Sequence, residues 1–344
     1  MAGVDSRAQG AGRISMIECG IITTIASTQR AVVYAEAAEQ MGFSRVGMAD
    51  TAPKLFHATY PAVTAALMRT NRISIGPYVT NPVTRHWSVH AATARALQEL
   101  APGRFYVGMA TGDGAVNSVG LKPSKLEYFE NYIHEMRTIW PEQSKIHLAF
   151  SGPKGMELAG RVADELTVAV GLDIETIQKM VGLAKAARQS AGIEAPLRIW
   201  INPLTYVVPT ESEVEPMRKA LRNIAFSSAR FSFDASMEDK NVPDHMKPIL
   251  KERLALYDFA YKGQVGDNPN ARLFEDHPEV ENYLIDRAVL TGTAQQCVTR
   301  LEQLMDKVEL SGVWFPTIPR TPHFSDHVSD LAALEKAFRP IMGN

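Results

Sequence analysis

The order of apolar and amphipathic stretches predicts a (β/α)8 barrel with a helical insertion after the seventh strand. Three observations predict it. Eight short runs read as strands, and nearly all are apolar throughout rather than alternating, the pattern of parallel strands covered on both faces. Amphipathic helical stretches separate them, as repeated strand–helix units require. The first strand is followed by "GIITTIAST", without the Gly-rich dinucleotide fingerprint that usually marks a doubly wound sheet.

The elements follow in order. "MIECGIITT" is the first strand, and "STQRAVVYAEAAEQMGF" the first helix, with Thr28 as its N-cap and Gly42 as its stop. "SRVGMAD", "RISIGPYVT", "RFYVGMA", "KIHLAF" and "ELTVAV" are strands two to six. The helices between them are "TYPAVTAALMRT", "SVHAATARALQEL", "SKLEYFENYIHEMRTIW" and "KGMELAGRVA". "IETIQKMVGLAKAARQS" is the next helix, and "LRIWINPLTYVV" reads as one long seventh strand. The alternation then lapses from about residue 211 to 288, an irregular helical insertion without an obvious core of its own. "TAQQCVTRLEQLMDKV", "SGVWFPTI" and "DLAALEKAFRPI" supply a helix, the eighth strand and a last helix. Residues 1–15 read as a loose polar leader, and 16–344 as a single barrel domain.

Composition narrows the function classes. The chain has 344 residues, 45% hydrophobic and 22% charged, with a net charge of −2, so no basic surface for nucleic acid or membrane is indicated. No apolar run reaches the roughly 18 residues that span a bilayer, and no hydrophobic signal core opens the chain, which points to the cytoplasm. Cys19 and Cys297 are too far apart in sequence to suggest a metal motif, and Cys19 reads as a small core residue. With neither HExxH nor paired cysteines, no metal is expected.

A barrel of this kind carries function on the loops beyond the C-terminal strand ends. Asp50, beyond strand two, suits a hydrogen-bond partner for a ring or substrate, and equally a loop organiser. His57, further along that loop, has the titration range for proton transfer near neutral pH, or is simply solvated. Two prolines and a glycine in "GPYVTNP" make an irregular end to strand three, where a bulge would turn backbone toward the barrel axis. Thr80 and Asn81 there can hydrogen-bond a planar ring or merely end the strand. Arg85 and His86 open the next helix, as an anion site or as a surface pair. Beyond strand four, Thr111, Gly112, Asp113 and Gly114 allow backbone to approach a ligand closely. Ser151, Gly152, Pro153 and Lys154 lead into a helix whose N-terminus suits a phosphate, with Ser151 as N-cap and Pro153 in the first turn.

Three segments together resemble the bacterial-luciferase-like flavin oxidoreductase superfamily, in particular its methylenetetrahydromethanopterin reductase branch. They are "TNRISIGPYVTNPVTRH", "ALQELAPGRFYVGMATGDGAVNSVGLKP" and "SGPKGMELAGRVADELTV". The resemblance runs from about residue 17 to 341 and is most specific over 72–123. It implies the same barrel, with FMN or the deazaflavin F420 at the C-terminal mouth. It further implies a non-proline cis peptide bulge at Tyr78 and Val79 behind the tricyclic ring, with Thr80 and Asn81 edging that ring. Ala110, Thr111 and Gly112 would line the ring and phosphate path, and Ser151, Gly152, Pro153 and Lys154 would hold the phosphate. The chain departs from the reductase branch at "ADT", where Thr51 stands in place of a histidine. The departure argues against the reductase's pterin chemistry and leaves the catalytic base open, with Asp50, Thr51, His57 and His86 as the catalytic candidates.

The leading expectation from the sequence is a two-component monooxygenase that uses reduced FMN from a separate reductase, and O2, to oxygenate a small organic substrate. The insertion would supply the lid and substrate pocket, with Phe231, Phe233 and Tyr257 as its walls or packed within the insertion itself. The alternatives are an F420-dependent oxidoreductase, drawing on Lys122, Lys125 and Lys154 for the acidic cofactor tail, and a non-catalytic flavin-binding barrel. The resemblance also implies a homodimer or homotetramer.

Overall fold

The computed structural model describes residues 16–51, 57–233, 236–261, 264–316 and 327–343. Eight parallel strands make the barrel wall. They are β1 (Glu18–Thr23), β2 (Arg45–Met48), β3 (Ser74–Pro77), β4 (Tyr106–Met109), β5 (Lys145–Phe150), β6 (Glu165–Val168), β7 (Arg198–Ile201) and, after the insertion, β10 (Gly312–Pro316). Their order is β3-β2-β1-β10-β7-β6-β5-β4. The seam between β3 and β4 closes through the parallel bridges Ile75–Phe105 and Thr80–Met109. The Thr80 N–H donates to the Gly108 carbonyl at 2.8 Å, and the Ala110 N–H to that of Thr80 at 3.0 Å. The predicted barrel is therefore the observed one.

The outer helices are α1 (Thr28–Gln40), α2 (Thr59–Arg69), α3 (Trp87–Leu100), α5 (Leu126–Arg137), α6 (Pro153–Val162), α7 (Ile174–Ser190), α12 (Ala294–Met305) and α13 (His327–Phe338). The sequence did not anticipate the short helix α4 (Gly114–Asn117). Two caps differ from expectation. Ser27, not Thr28, caps α1, its side chain accepting from the Arg30 N–H. Gly152, not Ser151, is the N-cap of α6. Gly42 does stop α1, in the left-handed region at φ +84°.

The barrel interior is filled by rings set against glycines. Tyr78, Tyr106, Trp200 and Trp314 form one buried cluster. A methyl group at Gly20 would lie 2.4 Å from the Trp314 ring, one at Gly312 2.4 Å from the Trp200 ring, and one at Gly47 2.5 Å from the Tyr78 Cβ. Large and small side chains thus interdigitate across the barrel, as its limited bore demands. Below the rings lies an ion cluster at the N-terminal strand ends. Arg45 Nη2 donates to Glu165 Oε1 at 2.8 Å, and Arg45 Nη1 to Glu165 Oε2. Arg198 bonds both Glu165 and Glu18.

The seventh strand is not one strand. Pro203 has no N–H to donate, and after Asn202 the chain leaves the barrel wall. The segment Leu204–Val207, β8, pairs in parallel with β9 (Val289–Gly292), which the sequence reading missed. Between them lie α8 (Val214–Ala220), α9 (Arg222–Phe233), α10 (Lys247–Ala255) and α11 (Pro278–Ala288). Contrary to expectation, these helices enclose a separate cluster of buried side chains, among them Leu221, Phe226, Leu250, Phe274 and Leu284. Among the described residues, no helix is long and apolar enough to cross a membrane.

Candidate functional site

The C-terminal strand ends form the mouth, and β3 contributes its most unusual backbone. The peptide bond between Tyr78 and Val79 is cis. The Tyr78 ring points down into the barrel. Its hydroxyl donates to Thr167 Oγ1 at 2.8 Å, and Thr167 Oγ1 lies 2.7 Å from His147 Nε2. His147 Nδ1 lies 3.0 Å from Glu165 Oε2. Burial raises the pKa of Glu165, but the attraction of Arg45 outweighs it and holds the carboxyl well below the usual range. Burial pushes His147 down, against the pull of Glu165. An ionised Glu165 beside a neutral imidazole requires the proton on Nδ1, so the chain runs in one direction: Tyr78 to Thr167 to His147 Nε2, and His147 Nδ1–H to Glu165.

Thr80 and Asn81 follow the bulge and are buried. Asn81 Oδ1 accepts from the Val83 N–H at 3.0 Å and the Thr84 N–H at 2.9 Å, which fixes the orientation of the amide. Its Nδ2 is buried with no hydrogen-bond partner among the described residues. A buried donor left unpaired is costly, and the cost is removed when a ligand brings an acceptor.

Asp50, at the end of β2, is an organiser. Thr80 Oγ1 donates to its Oδ2 at 2.6 Å and Thr59 Oγ1 to its Oδ1 at 3.1 Å. Arg85 grips both oxygens, Nη2 reaching Oδ1 at 3.1 Å. Burial raises the Asp50 pKa, but the Arg85 hydrogen bonds and charge overcome it and hold the group below the usual carboxylate range. A carboxylate so engaged is a poor proton acceptor at neutral pH. Arg85, read from the sequence as an anion site or part of a surface pair, instead turns inward across the Tyr60 ring, 5.3 Å from its centroid. Behind it His90, unremarked in the sequence, shares a hydrogen bond with the Tyr60 hydroxyl. Burial and then the Arg85 charge push His90 down to about 4, so it is neutral near pH 7.

The other expected residues spread over the mouth. Thr51 is half-buried at the edge of the described residues. His57 is exposed, its backbone N–H donating to the Ile25 carbonyl at 2.8 Å, which ties the second loop to the first. His86 is exposed and caps α3, its Nδ1 accepting from the Ser88 N–H at 3.3 Å. Ala110, Thr111 and Gly112 follow β4, and Gly112 is held at φ +91°. A methyl group at Gly112 would lie 3.2 Å from the Asn81 Cβ, so the third and fourth loops touch at the unpaired amide. Ser151, Gly152 and Pro153 are half-buried and Lys154 is exposed. No side chain caps α6, and the space where a Cβ of residue 152 would stand is open for 4 Å.

Beside the mouth lies a cavity of about 340 Å³ between the barrel and the insertion. Ala169 and Gly171 beyond β6, Asn202 beyond β7 and Pro316 of β10 form its barrel side. Phe231 lines it as expected. Phe233 and Tyr257 follow the other reading, packing within the insertion, where both are buried in its core.

Comparison with known proteins agrees with this architecture. The family model described as luciferase-like monooxygenase matches residues 9–308. The 5,10-methylenetetrahydromethanopterin reductase of Methanolobus tindarius is 23% identical over 303 residues, covering 79% of this chain and 86% of the relative. An F420-dependent glucose-6-phosphate dehydrogenase of Microbacterium testaceum is 27% identical over 207 residues, 48% of this chain and 61% of the relative. The structure of the coenzyme F420 dependent tetrahydromethanopterin reductase from Methanopyrus kandleri superposes with a TM-score of 0.70 at 16% identity, covering 93% of this chain and 98% of that one. With its closed barrel and its loop-built mouth, the chain belongs to the luciferase-like monooxygenase family of oxidoreductases.

Proposed function

We propose that the chain is an F420-dependent oxidoreductase acting on a small organic molecule. The observation that carries the cofactor site is the Asn81 amide, a buried donor with no partner among the described residues. It stands where the third and fourth loops meet, above the cis peptide, a position that suits the polar edge of a planar tricyclic ring. The uncapped α6 and the open space at Gly152 suit an anionic tail, because free N–H groups and the helix dipole both favour negative charge. When bound, the deazaflavin would supply hydride exchange with the substrate. Asn81 and Thr80 would orient its ring, Thr111 and Gly112 would flank it, and Ser151 to Lys154 would hold its phosphate. Asp50 would keep Thr80 and Arg85 in place, and His57, an exposed imidazole on the second loop, would move a proton.

Four curated relatives are named as F420-dependent dehydrogenases, which supports the F420 reading. The reading placed first on sequence grounds, reduced FMN with O2 and a separate reductase, draws its support from the family model's own description. Anaerobic titration of the purified chain with reduced F420 and with reduced FMN, followed by admission of oxygen, separates the two. Tight F420 binding with no oxygen-dependent absorbance transient is the expected result. Tight FMN binding with such a transient would overturn the F420 reading, and binding of neither would overturn both.

A further inference from the structure

We infer that the insertion moves on the barrel as one body, and that a hydrogen-bonded ring of five residues is the catch that holds it over the cavity. The inference holds whichever cofactor the mouth takes. The ring closes on itself across the interface. Asn241 Nδ2 donates to Asp173 Oδ2 at 3.1 Å, and the Asn241 carbonyl accepts from the Tyr283 hydroxyl at 3.2 Å. The Arg287 guanidinium donates to that hydroxyl at 2.9 Å and to Thr176 Oγ1 at 3.0 Å. The Thr176 hydroxyl donates in turn to Asp173 Oδ1. Asp173 and Thr176 stand at the start of α7 on the barrel, and the other three residues belong to the insertion. Beside the ring the two parts meet backbone to backbone. The Leu172 N–H donates to the Arg287 carbonyl at 2.7 Å, and a methyl group at Gly171 would lie 2.2 Å from that oxygen.

Three features make this a catch. The insertion has a buried cluster apart from that of the barrel, so it can shift without dissolving either core. Its other attachment is the β8–β9 ribbon, a neck in which Leu290 packs into the barrel's core and Val289 into the insertion's. Arg300 of α12 steadies that neck, donating to the Val289 carbonyl at 2.9 Å. Leu204 of the ribbon and Gly171 beside the ring both line the cavity, so a swing about the neck widens it. Second, the ring is unevenly buried. Thr176 and Arg287 are buried, whereas Asn241 is exposed, and water can replace its partners there. Third, the chain at that point is strained. Asp239 at φ +65° and Asn241 at φ +48° are, among the described residues, the two non-glycine residues in the left-handed region. Contacts on both sides hold them so. Asp239 pairs with Lys179 of α7, Lys240 Nζ donates to the Ser232 carbonyl at the end of α9, and Asn241 reaches Asp173. Residues 239–241 are thus a strap from α7 to α9, whose Ile224, Ser228 and Phe231 line the cavity. Strain kept in place by such contacts is released when they part, which favours opening.

Amide hydrogen exchange of the full chain, followed residue by residue, is the test. The Leu172 N–H crosses the interface and reports its opening. The Ala225 N–H, bonded to the Leu221 carbonyl at 2.9 Å, reports unfolding within the insertion. Asn241→Gly removes the side chain and leaves the left-handed backbone at ease. Thr176→Val removes the ring hydroxyl from the barrel side and keeps the Thr176 N–H that Asp173 caps. Each variant should speed Leu172 exchange at least about fivefold, as the loss of one net hydrogen bond implies, with Ala225 exchange unchanged. The double variant should exceed the larger single effect by less than about twofold, because either break opens the same ring. Leu172 exchange indifferent to either variant would overturn the inference. Leu172 and Ala225 accelerating together would overturn it as well, since the insertion would then melt in place of moving. Single effects that multiply in the double variant would replace the ring by two separate tethers and overturn it too.

Discussion

The barrel grips a carboxylate with guanidinium at each of its two ends, and the two clusters differ in burial. At the floor, Glu165 is fully buried and faces Arg45, whose side chain is 8% exposed, with Arg198 and His147 completing its shell. At the mouth, Asp50 is 12% and Arg85 24% exposed, and the remaining partners are threonine hydroxyls. The floor cluster sits far from the loops and satisfies its own members. The mouth cluster borders an amide donor that no described residue satisfies. Charge of the same kind therefore serves two ends: below, it closes the barrel, and above, it positions the groups around an opening.

The strongest way to break this comparison is at the floor. Glu165→Gln leaves the buried Arg45 without its counter-charge and should cost about 3–5 kcal/mol of stability in urea unfolding. A loss below about 1 kcal/mol would mean that water reaches the floor and that the two clusters are alike.

Acid provides the second test. His90 and His147 are held neutral by burial, so the unfolded chain binds more protons as pH falls through about 6.5, the ordinary histidine value. Glu165 and Asp50 are both depressed, so their contribution is whole above about pH 4 and is lost below it as they protonate. The urea midpoint should decline in two stages, one below about pH 6.5 and a steeper one below about pH 4. His90→Gln should flatten the first stage, and an unaltered profile would place that stage elsewhere.

At the mouth the expected effects are smaller for folding and larger for binding. Asp50→Asn should cost about 1–2 kcal/mol in stability and weaken cofactor binding about tenfold, since Thr80 and Arg85 lose their anchor. Asn81→Asp keeps the oxygen that accepts from Val83 and Thr84 and removes the donor. It should weaken cofactor binding at least tenfold in fluorescence titration, and tight binding by this variant would remove Asn81 from the cofactor site. The smallest effect on stability is expected at Lys154→Ala, within about 0.5 kcal/mol, because that side chain is exposed and its proposed role is toward the ligand.

Much of the fold was legible because its signals are local. Mostly apolar, non-alternating runs of four to six residues between amphipathic helices define the barrel strands without knowledge of any contact. Pro203 also carried its message, an absent N–H in mid-strand, which should have ended the seventh strand at Ile201. The helical period likewise forbids Phe231 and Phe233 from sharing a face, and only the first lines the cavity. The mouth was harder to read. Asp50 and Arg85 are 35 residues apart, and their pairing depends on β2 and β3 lying side by side. His90 looks like any helical histidine until Tyr60 is brought against it. His86 read as a catalytic candidate from its nearness along the chain, yet its ring nitrogen serves the first turn of α3. Four-residue β9 has no sequence signature, because its partner among the described residues is the strand that Pro203 detaches.

The ring-against-glycine packing of the barrel has a consequence for sequence drift. Gly20 and Gly312 each face an indole at a distance no methyl group tolerates, so neither can change alone. A smaller side chain at Trp314 frees the volume that an alanine at Gly20 needs, and Trp200 and Gly312 form the same kind of exchange pair. Across descendants of this fold these positions should vary in couples that conserve volume, and a pair that drifts independently would mark a barrel whose interior has been repacked.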